Sequence, residues 1–390
     1  MTSRREFLAA GVALAGVGAA SAYSRATVHG AGAIGVGIIG VGDRGRGLAR
    51  ILTNHAAADV VALCDVLPFR LEAGLEATGP GTETRTDYRY LLDDPGIEAV
   101  IIATPFHFHA QPFVDALDAG KHVYVEKTAF KGYRQIAAAE AAAAGSDRII
   151  QVGYQYRHSR LYEHVAERLR SGDIGQVSRI ECQWNRNGNW RRPVPSPELE
   201  RAINWRMYRE YSGGLVAELS SHQMDACNLF LDSTPVSIMG SGGVDFWKDG
   251  RETRDNTHVL VSYGNGVDVS FSCLTNNAHN GYLIRIFGSK GTILLNRDEA
   301  WIVREQLAGK EFGEVDAVSG ATIVVDNAPA TKIEFEHLGA TEQAISDFVN
   351  SLHTGDAPRS GIRNGLLGAA MVQDSLDAMD SGEVQHFDWS

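Results

Sequence analysis

Two kinds of hydrophobic pattern divide the chain. Between residues 34 and 152, short β-branched or apolar runs alternate with longer segments whose apolar positions suit helices. Runs at 34–39, 60–65, 99–103, 122–126 and 149–152 predict strands, and 48–52, 110–119 and 133–144 predict helices between them. Repeated βα units of this kind predict a mostly parallel sheet covered on both faces. Beyond residue 230 the strands come without intervening helices, at 235–239, 258–262, 267–273, 282–287, 292–295, 301–303 and 322–325, which predicts a broad antiparallel or mixed sheet. Two final helices are expected, one from near Gly339 to 352 and one at 363–379. No internal repeat calls for a further module.

The 390 residues suit two domains, and 44% hydrophobic with 22% charged residues is a globular balance. A net charge of -12 gives no general attraction for nucleic acid or anionic membranes. The first 30 residues read differently. Arg4-Arg5 stands before the apolar run 8–20, and Ala20-Ser21-Ala22 offers a small-residue cleavage site. That pattern predicts a signal at 1–30 recognised by the twin-arginine export machinery, hence a periplasmic or otherwise exported protein. The run is short for a membrane span, and no later stretch is apolar enough for one. Cys64, Cys182, Cys227 and Cys273 lack metal-ligand spacing and read as core residues, although an oxidising compartment leaves one pairing open.

Chemistry concentrates first at Gly40-Val41-Gly42-Asp43-Arg44-Gly45, which follows a strand and opens a helix. In that setting the glycines allow a tight turn, a close approach to pyrophosphate and close helix–strand packing. Asp65 ends the next strand 20 residues after Gly45, where a carboxylate accepts ribose hydroxyls and repels a 2′-phosphate. NAD is therefore expected over NADP, with Arg70 able to soften the preference. The ligand crevice should gather Gly40, Asp65, Thr104 and Glu126.

Lys127 leaves a strand on that same side, where an ammonium stabilises a developing alkoxide. Gly213-Gly214 heads a second cluster, read as a helix from Leu215, that carries Glu218, His222 and Asp225 at helical spacing. Shared on one face, the carboxylates would fix the imidazole tautomer and leave His222 as general base. No His-Glu-x-x-His signature is present, and no metal is expected. Substrate contacts are expected from a boundary strand containing Tyr156 and Arg157, from the tract 184–192 with Trp190 and Arg191, from Trp205-Arg206, and from His222 and Asp225. Trp190 and Trp205 also suit a structural cluster at an interface.

The glycine turn at 40–45, Ala103-Thr104-Pro105 with His109, Glu126-Lys127, and Gly213-Gly214 followed by His222-Gln223-Met224-Asp225 together resemble the glucose–fructose oxidoreductase/inositol dehydrogenase (Gfo/Idh/MocA-like) family. The resemblance covers nearly all of the chain after the leader. It implies a Rossmann domain at 31–152, a C-terminal α/β domain at 153–338 built on a large open, mainly antiparallel sheet that forms subunit contacts, and helices at 339–390 that pack back on the body. It also implies that Asp43, Arg44, Thr104, Pro105, His109, Glu126 and Lys127 join the glycines and Asp65 around the cofactor. Catalytic roles fall on Lys127, Glu218 and His222. Thr128 stands where the family has Pro, and Glu218 where it has Asp.

The expected activity is transfer of a hydride between NAD and a sugar or sugar derivative, with tightly held cofactor and a homo-oligomeric protein. The alternatives are an NAD-dependent glycosidase working by transient oxidation and elimination, and a non-catalytic sugar or nucleotide sensor.

Overall fold

The computed structural model describes residues 32–305, 330–336 and 338–387. The expected signal segment and the expected strand at 322–325 lie outside them.

Strand β1 (Ile34–Ile39) is buried along its whole length, as β-branched residues interleaved with glycine permit in a sheet covered on both faces. It pairs in parallel with β2 (Ala58–Cys64) and β4 (Ala99–Ile102). With β3 (Glu83–Arg85), β5 (His122–Val125) and β6 (Ile150–Val152) it forms a six-stranded sheet in the order β3-β2-β1-β4-β5-β6. Helices α1 (Asp43–Thr53), α2 (Pro68–Thr78), α3 (Arg89–Asp93), α4 (Ala110–Asp118) and α5 (Gly132–Ala144) connect the strands. The strand order reverses between β1 and β4, so the binding crevice of this Rossmann domain lies at their C-terminal ends.

The second sheet begins with β7 (Val177–Asn185), after helix α6 (Arg160–Arg170). Strands β8 (Pro235–Gly243), β9 (Asn256–Tyr263), β10 (Asp268–Leu274), β11 (Tyr282–Gly288), β12 (Gly291–Leu295), β13 (Ala300–Arg304), β14 (Thr331–Lys332) and β15 (Gln385–His386) complete it. The order is β14-β13-β12-β11-β7-β10-β9-β8-β15. Only β7 and β10 run parallel among these pairs. Along the central strands every second residue is buried, and Ile180, Cys182, Val269, Phe271, Ile284 and Ile293 share one core with α6 and helix α7 (Ser221–Leu231). The opposite face carries half-buried Leu260, Leu283, Leu294 and Trp301.

Three local expectations are corrected. The boundary segment read as a strand is a 3-10 turn over Gln155–His158. Residues 177–185, of which only Trp184 and Asn185 were read, as the start of a substrate tract, form a central strand. The helix expected from Leu215 opens instead with a π-helical turn at Val216–Ser220 before α7 begins.

Two C-terminal helices hold the halves together. Helix α8 (Ala340–Thr354) packs against α1, and α9 (Ile362–Ser381) packs against α5, α7 and β8. Close passage of α9 depends on small residues. A Cβ on Gly368 would lie 2.1 Å from the Tyr154 hydroxyl.

Candidate active site

The cofactor end is shaped by backbone constraints. Gly40 has φ 93°, and a Cβ there would come within 2.7 Å of the Ala103 carbonyl. A Cβ on Gly45 would meet the Gly40 oxygen at 1.9 Å, so the turn lies directly on α1 and the end of β4. At Gly42, by contrast, nothing lies within 4 Å of an added Cβ. That leaves open ground at the α1 N-terminus, where free N–H groups suit a pyrophosphate. Asp65 is buried, with its carboxylate accepting the Val41 N–H at 2.8 Å and the Leu67 N–H at 3.0 Å. Burial pushes its carboxyl up despite those bonds and Arg70 at 3.8 Å. The open cradle, the helix end and this carboxylate fit an adenine dinucleotide with free ribose hydroxyls.

The neighbouring side chains are tied to protein groups. Asp43 pairs with Arg192, and with Arg46 at 3.5 Å. Arg44 donates through Nε to Glu126 at 2.7 Å, through Nη2 to Gln155 at 2.9 Å and through Nη1 to Thr341 at 3.3 Å. The glycine turn is thereby linked to β5 and to α8. Pro105 leads into a 3-10 turn at Phe106–Phe108, while the Thr104 hydroxyl is buried without a partner among the described residues. His109 is enclosed, its Nε2 at 2.7 Å from the Thr104 oxygen and its Nδ1 at 3.1 Å from that of Thr128. It positions the loops on either side of the crevice.

The peptide Lys127–Thr128 is cis. Lys127 Nζ donates to the main-chain oxygen of Glu218 at 3.3 Å, and Thr128 Oγ1 donates to that of Ala217 at 2.9 Å. A π turn is wider than an α turn and often marks a functional site. Here two of its carbonyls receive side-chain donors from 127–128. The carboxylates behave differently from expectation. Glu218 accepts Arg206 Nε at 2.7 Å, and Asp225 accepts Arg157 Nε at 2.7 Å. Neither fixes the His222 ring, whose buried Nδ1 has no partner among the described residues. The stronger guanidinium donors take both carboxylates.

Charge around the imidazole is lopsided. Burial, then Lys127, Arg44, Arg186 and Arg297, hold His222 well below the usual histidine value. Burial also lowers Lys127, against the pull of Glu218 and Glu126. Burial alone would raise Glu218, but Arg206 and Lys127 keep it below the ordinary carboxylate range. His222 is thus a neutral imidazole beside a cationic cluster.

An aromatic wall surrounds it. The rings of Tyr156 and Trp184 lie 5.4 and 5.6 Å from that of His222, and Tyr282 meets Trp184 edge-on at 4.8 Å. Arg206 lies over Trp205 at 4.1 Å, and Trp190 sits at φ 64° beneath Arg186. Arg191 turns away to Glu200 and Asp249. Tyr282 was legible only as a strand residue. Its place opposite Trp184 follows from register. Among the described residues no group of three His, Cys, Asp or Glu is placed to hold a metal, and no helix is long and apolar enough to cross a membrane.

A glycine-turn Rossmann domain joined to an open mixed sheet, with Lys127 anchored on the turn that leads into the helix of His222, defines a two-domain nucleotide-binding protein. The chain belongs to the Gfo/Idh/MocA oxidoreductase family: residues 34–154 match its NAD-binding Rossmann fold and residues 162–294 its C-terminal domain. It is 28% identical to levoglucosan dehydrogenase of Pseudarthrobacter phenanthrenivorans, over 56% of this chain and 61% of that one. It is 29% identical to 1-carboxy-3-chloro-3,4-dihydroxycyclohexa-1,5-diene dehydrogenase of Comamonas testosteroni, over 53% of this chain and 49% of that one. The chain thus spans less than two thirds of the length of these two curated relatives. The solved structure of a levoglucosan dehydrogenase in complex with NADH and levoglucosan shares the fold, with a TM-score of 0.74, 19% identity, and coverage of 90% of this chain and 99% of that one.

Proposed function

We propose that this protein is an NAD-dependent oxidoreductase that interconverts a hydroxyl and a carbonyl on a sugar or sugar derivative. The observation that carries the reading is the placement of half-buried Lys127 just beyond β5, its ammonium on the main chain of the turn that leads to His222, whose ring lies beside Tyr156 and Trp184. Both named relatives act on cyclic hydroxylated compounds. The bound dinucleotide supplies the hydride acceptor. His222 takes the hydroxyl proton, while Lys127 steadies the negative charge that grows on oxygen. Glu218 and Arg206 hold the π turn that places Lys127. Tyr156, Trp184, Trp190 and Trp205 offer ring faces to a sugar. Asp65 favours NAD over NADP.

The N-terminal pattern supports export through the twin-arginine route, which carries folded protein and so permits loading of cofactor before export. Arg44, bridging the glycine turn to Thr341 on α8, suits a cofactor that stays bound and is recycled by a second sugar. The half-buried apolar residues on the open sheet face suit packing against a second copy; light scattering on the purified protein tests that.

The functional reading is tested by absorbance and mass spectrometry of the exported protein with candidate sugars and glycosides. Cofactor that changes redox state while a sugar is oxidised or reduced supports it. Glycoside cleavage without net redox change overturns it in favour of a glycosidase, and folded protein with neither cofactor nor turnover overturns it altogether.

A further inference from the structure

Arginines near the site are mostly matched with carboxylates: Arg44 with Glu126, Arg157 with Asp225, Arg191 with Asp249, Arg192 with Asp43 and Arg206 with Glu218. Arg186 and Arg297 break the pattern. Neither has an ion pair or a side-chain hydrogen bond among the described residues.

Their positions are set by the second sheet. Arg186 follows the last residue of β7, and its guanidinium lies 5.7 Å from the Trp184 ring centre and 5.5 Å from that of Trp190. Trp184 in turn faces His222. Arg297 is the first residue at the tip of the β12–β13 hairpin, which is closed by the Asn296 N–H on the Glu299 oxygen at 2.9 Å. Leu295 pairs with Ile284 and Ile284 with Cys182, so the tip extends the row in which Tyr282 pairs with Trp184. Both arginines therefore stand at the edge of the same aromatic wall, one from each side of Tyr282.

The electrostatics agree with that placement. After burial itself, the Arg297 charge acts most strongly on the Tyr156 hydroxyl, and Asp298 beside it offsets part of its field there. Arg186 is held below its ordinary value by burial and then by the Arg297 charge. Two unpaired like charges that act on each other are unfavourable until an anion joins them. This cationic edge belongs to a chain whose net charge is -12, so it is a local feature rather than a general basicity.

We propose that Arg186 and Arg297 form a carboxylate subsite, and that the substrate is a sugar acid rather than a neutral sugar. A guanidinium set over aromatic rings keeps its N–H fork available, and that fork matches a planar carboxylate in two-point hydrogen bonds. The acid group would be anchored at the rim while the ring lies on the wall and a hydroxyl reaches His222 and Lys127. This rests on the oxidoreductase reading for the chemistry, but not for the binding.

The test is calorimetric binding to the full protein loaded with NAD, using D-glucuronate, D-galacturonate and D-gluconate against D-glucose, D-galactose and D-glucose 6-phosphate. At least one acid should bind at least tenfold more tightly than its neutral counterpart, and the gap should narrow as salt rises. Arg186→Gln and Arg297→Gln should each weaken that acid by roughly 10- to 100-fold, the loss expected for a hydrogen bond to a charged group. NAD affinity, which neither side chain touches, reports on folding. Equal affinity for acids and neutral sugars, or an acid unaffected by both substitutions, overturns the proposal. Tighter binding of the phosphate ester than of every acid overturns the carboxylate assignment. Acid binding through the two arginines without redox change on any sugar leaves the subsite standing and removes the oxidoreductase reading. Turnover of neutral sugars with no preference for acids does the reverse.

Discussion

The ammonium of Lys127 donates to the main-chain oxygen of Glu218 at 3.3 Å, while the Glu218 carboxylate is turned to Arg206 at 2.7 Å. Lys127 is therefore held by a neutral acceptor and is not locked into an ion pair with Glu218. A half-buried ammonium with a weak anchor can move its hydrogen bond to a substrate oxygen as charge develops there. Lys127→Met should lower kcat for sugar oxidation by about 10²–10³-fold, with little change in NAD affinity. Stopped-flow measurement of the first turnover checks this, and an unchanged rate would remove Lys127 from the chemistry.

His222 supplies the pH dependence. Burial and the cations around it hold its pKa well below the ordinary 6.5. A base whose pKa is lowered stays deprotonated as pH falls through the normal histidine range. The oxidation rate kcat/KM should accordingly persist through pH 6.5 and fall only well below it. His222→Gln should cost about 10²–10⁴-fold and abolish that acid limb. A limb centred at the ordinary histidine value would show that a solvent-exposed group, and not His222, takes the proton.

Much of the nucleotide domain was legible because its signals are local. A β-branched strand, a glycine turn and an acid at the end of the next strand each depend on neighbours within about one βα unit. Asp65 could be picked out for that reason. The substrate side was harder, since its contacts are set by register and by competition. Helical spacing put Glu218 and Asp225 on the face of His222, but Arg206, 12 residues before Glu218, and Arg157, 68 before Asp225, take both carboxylates. The π turn left no mark that separates it from an ordinary helix start. Tyr282 and Arg297 reach the wall only through pairing of β11 with β7 and of β12 with β11, which periodicity does not encode.

Asp65 offers a direct test of cofactor choice. Its carboxylate accepts two main-chain N–H groups, one of them from Val41 inside the glycine turn. Asp65→Asn keeps one acceptor oxygen but loses the charge. NAD should bind about 10-fold more weakly, in line with the worth of a hydrogen bond to a charged group. The preference for NAD over NADP should shrink because the repulsion of a 2′-phosphate is gone. Titration of both cofactors by fluorescence measures the ratio, and a preference that stays the same would place the discrimination elsewhere.

Arg157 and Asp225 decide between a substrate role and a structural one. Their side chains are 11% and 2% exposed and joined at 2.7 Å. A second bond runs from Arg157 Nη2 to the Asp225 main-chain oxygen at 3.3 Å. The pair ties the 3-10 turn carrying Tyr156 to α7, one turn beyond His222. Removing the arginine alone strands a buried carboxylate, which costs about 3–5 kcal/mol in such pairs. Arg157→Met should therefore lower the thermal midpoint substantially, and Asp225→Leu added to it should recover part of the loss, because no unpaired charge then remains. Sugar KM, measured well below the unfolding temperature, should move less than stability does. A raised KM at unchanged stability would instead make Arg157 a direct ligand of the sugar.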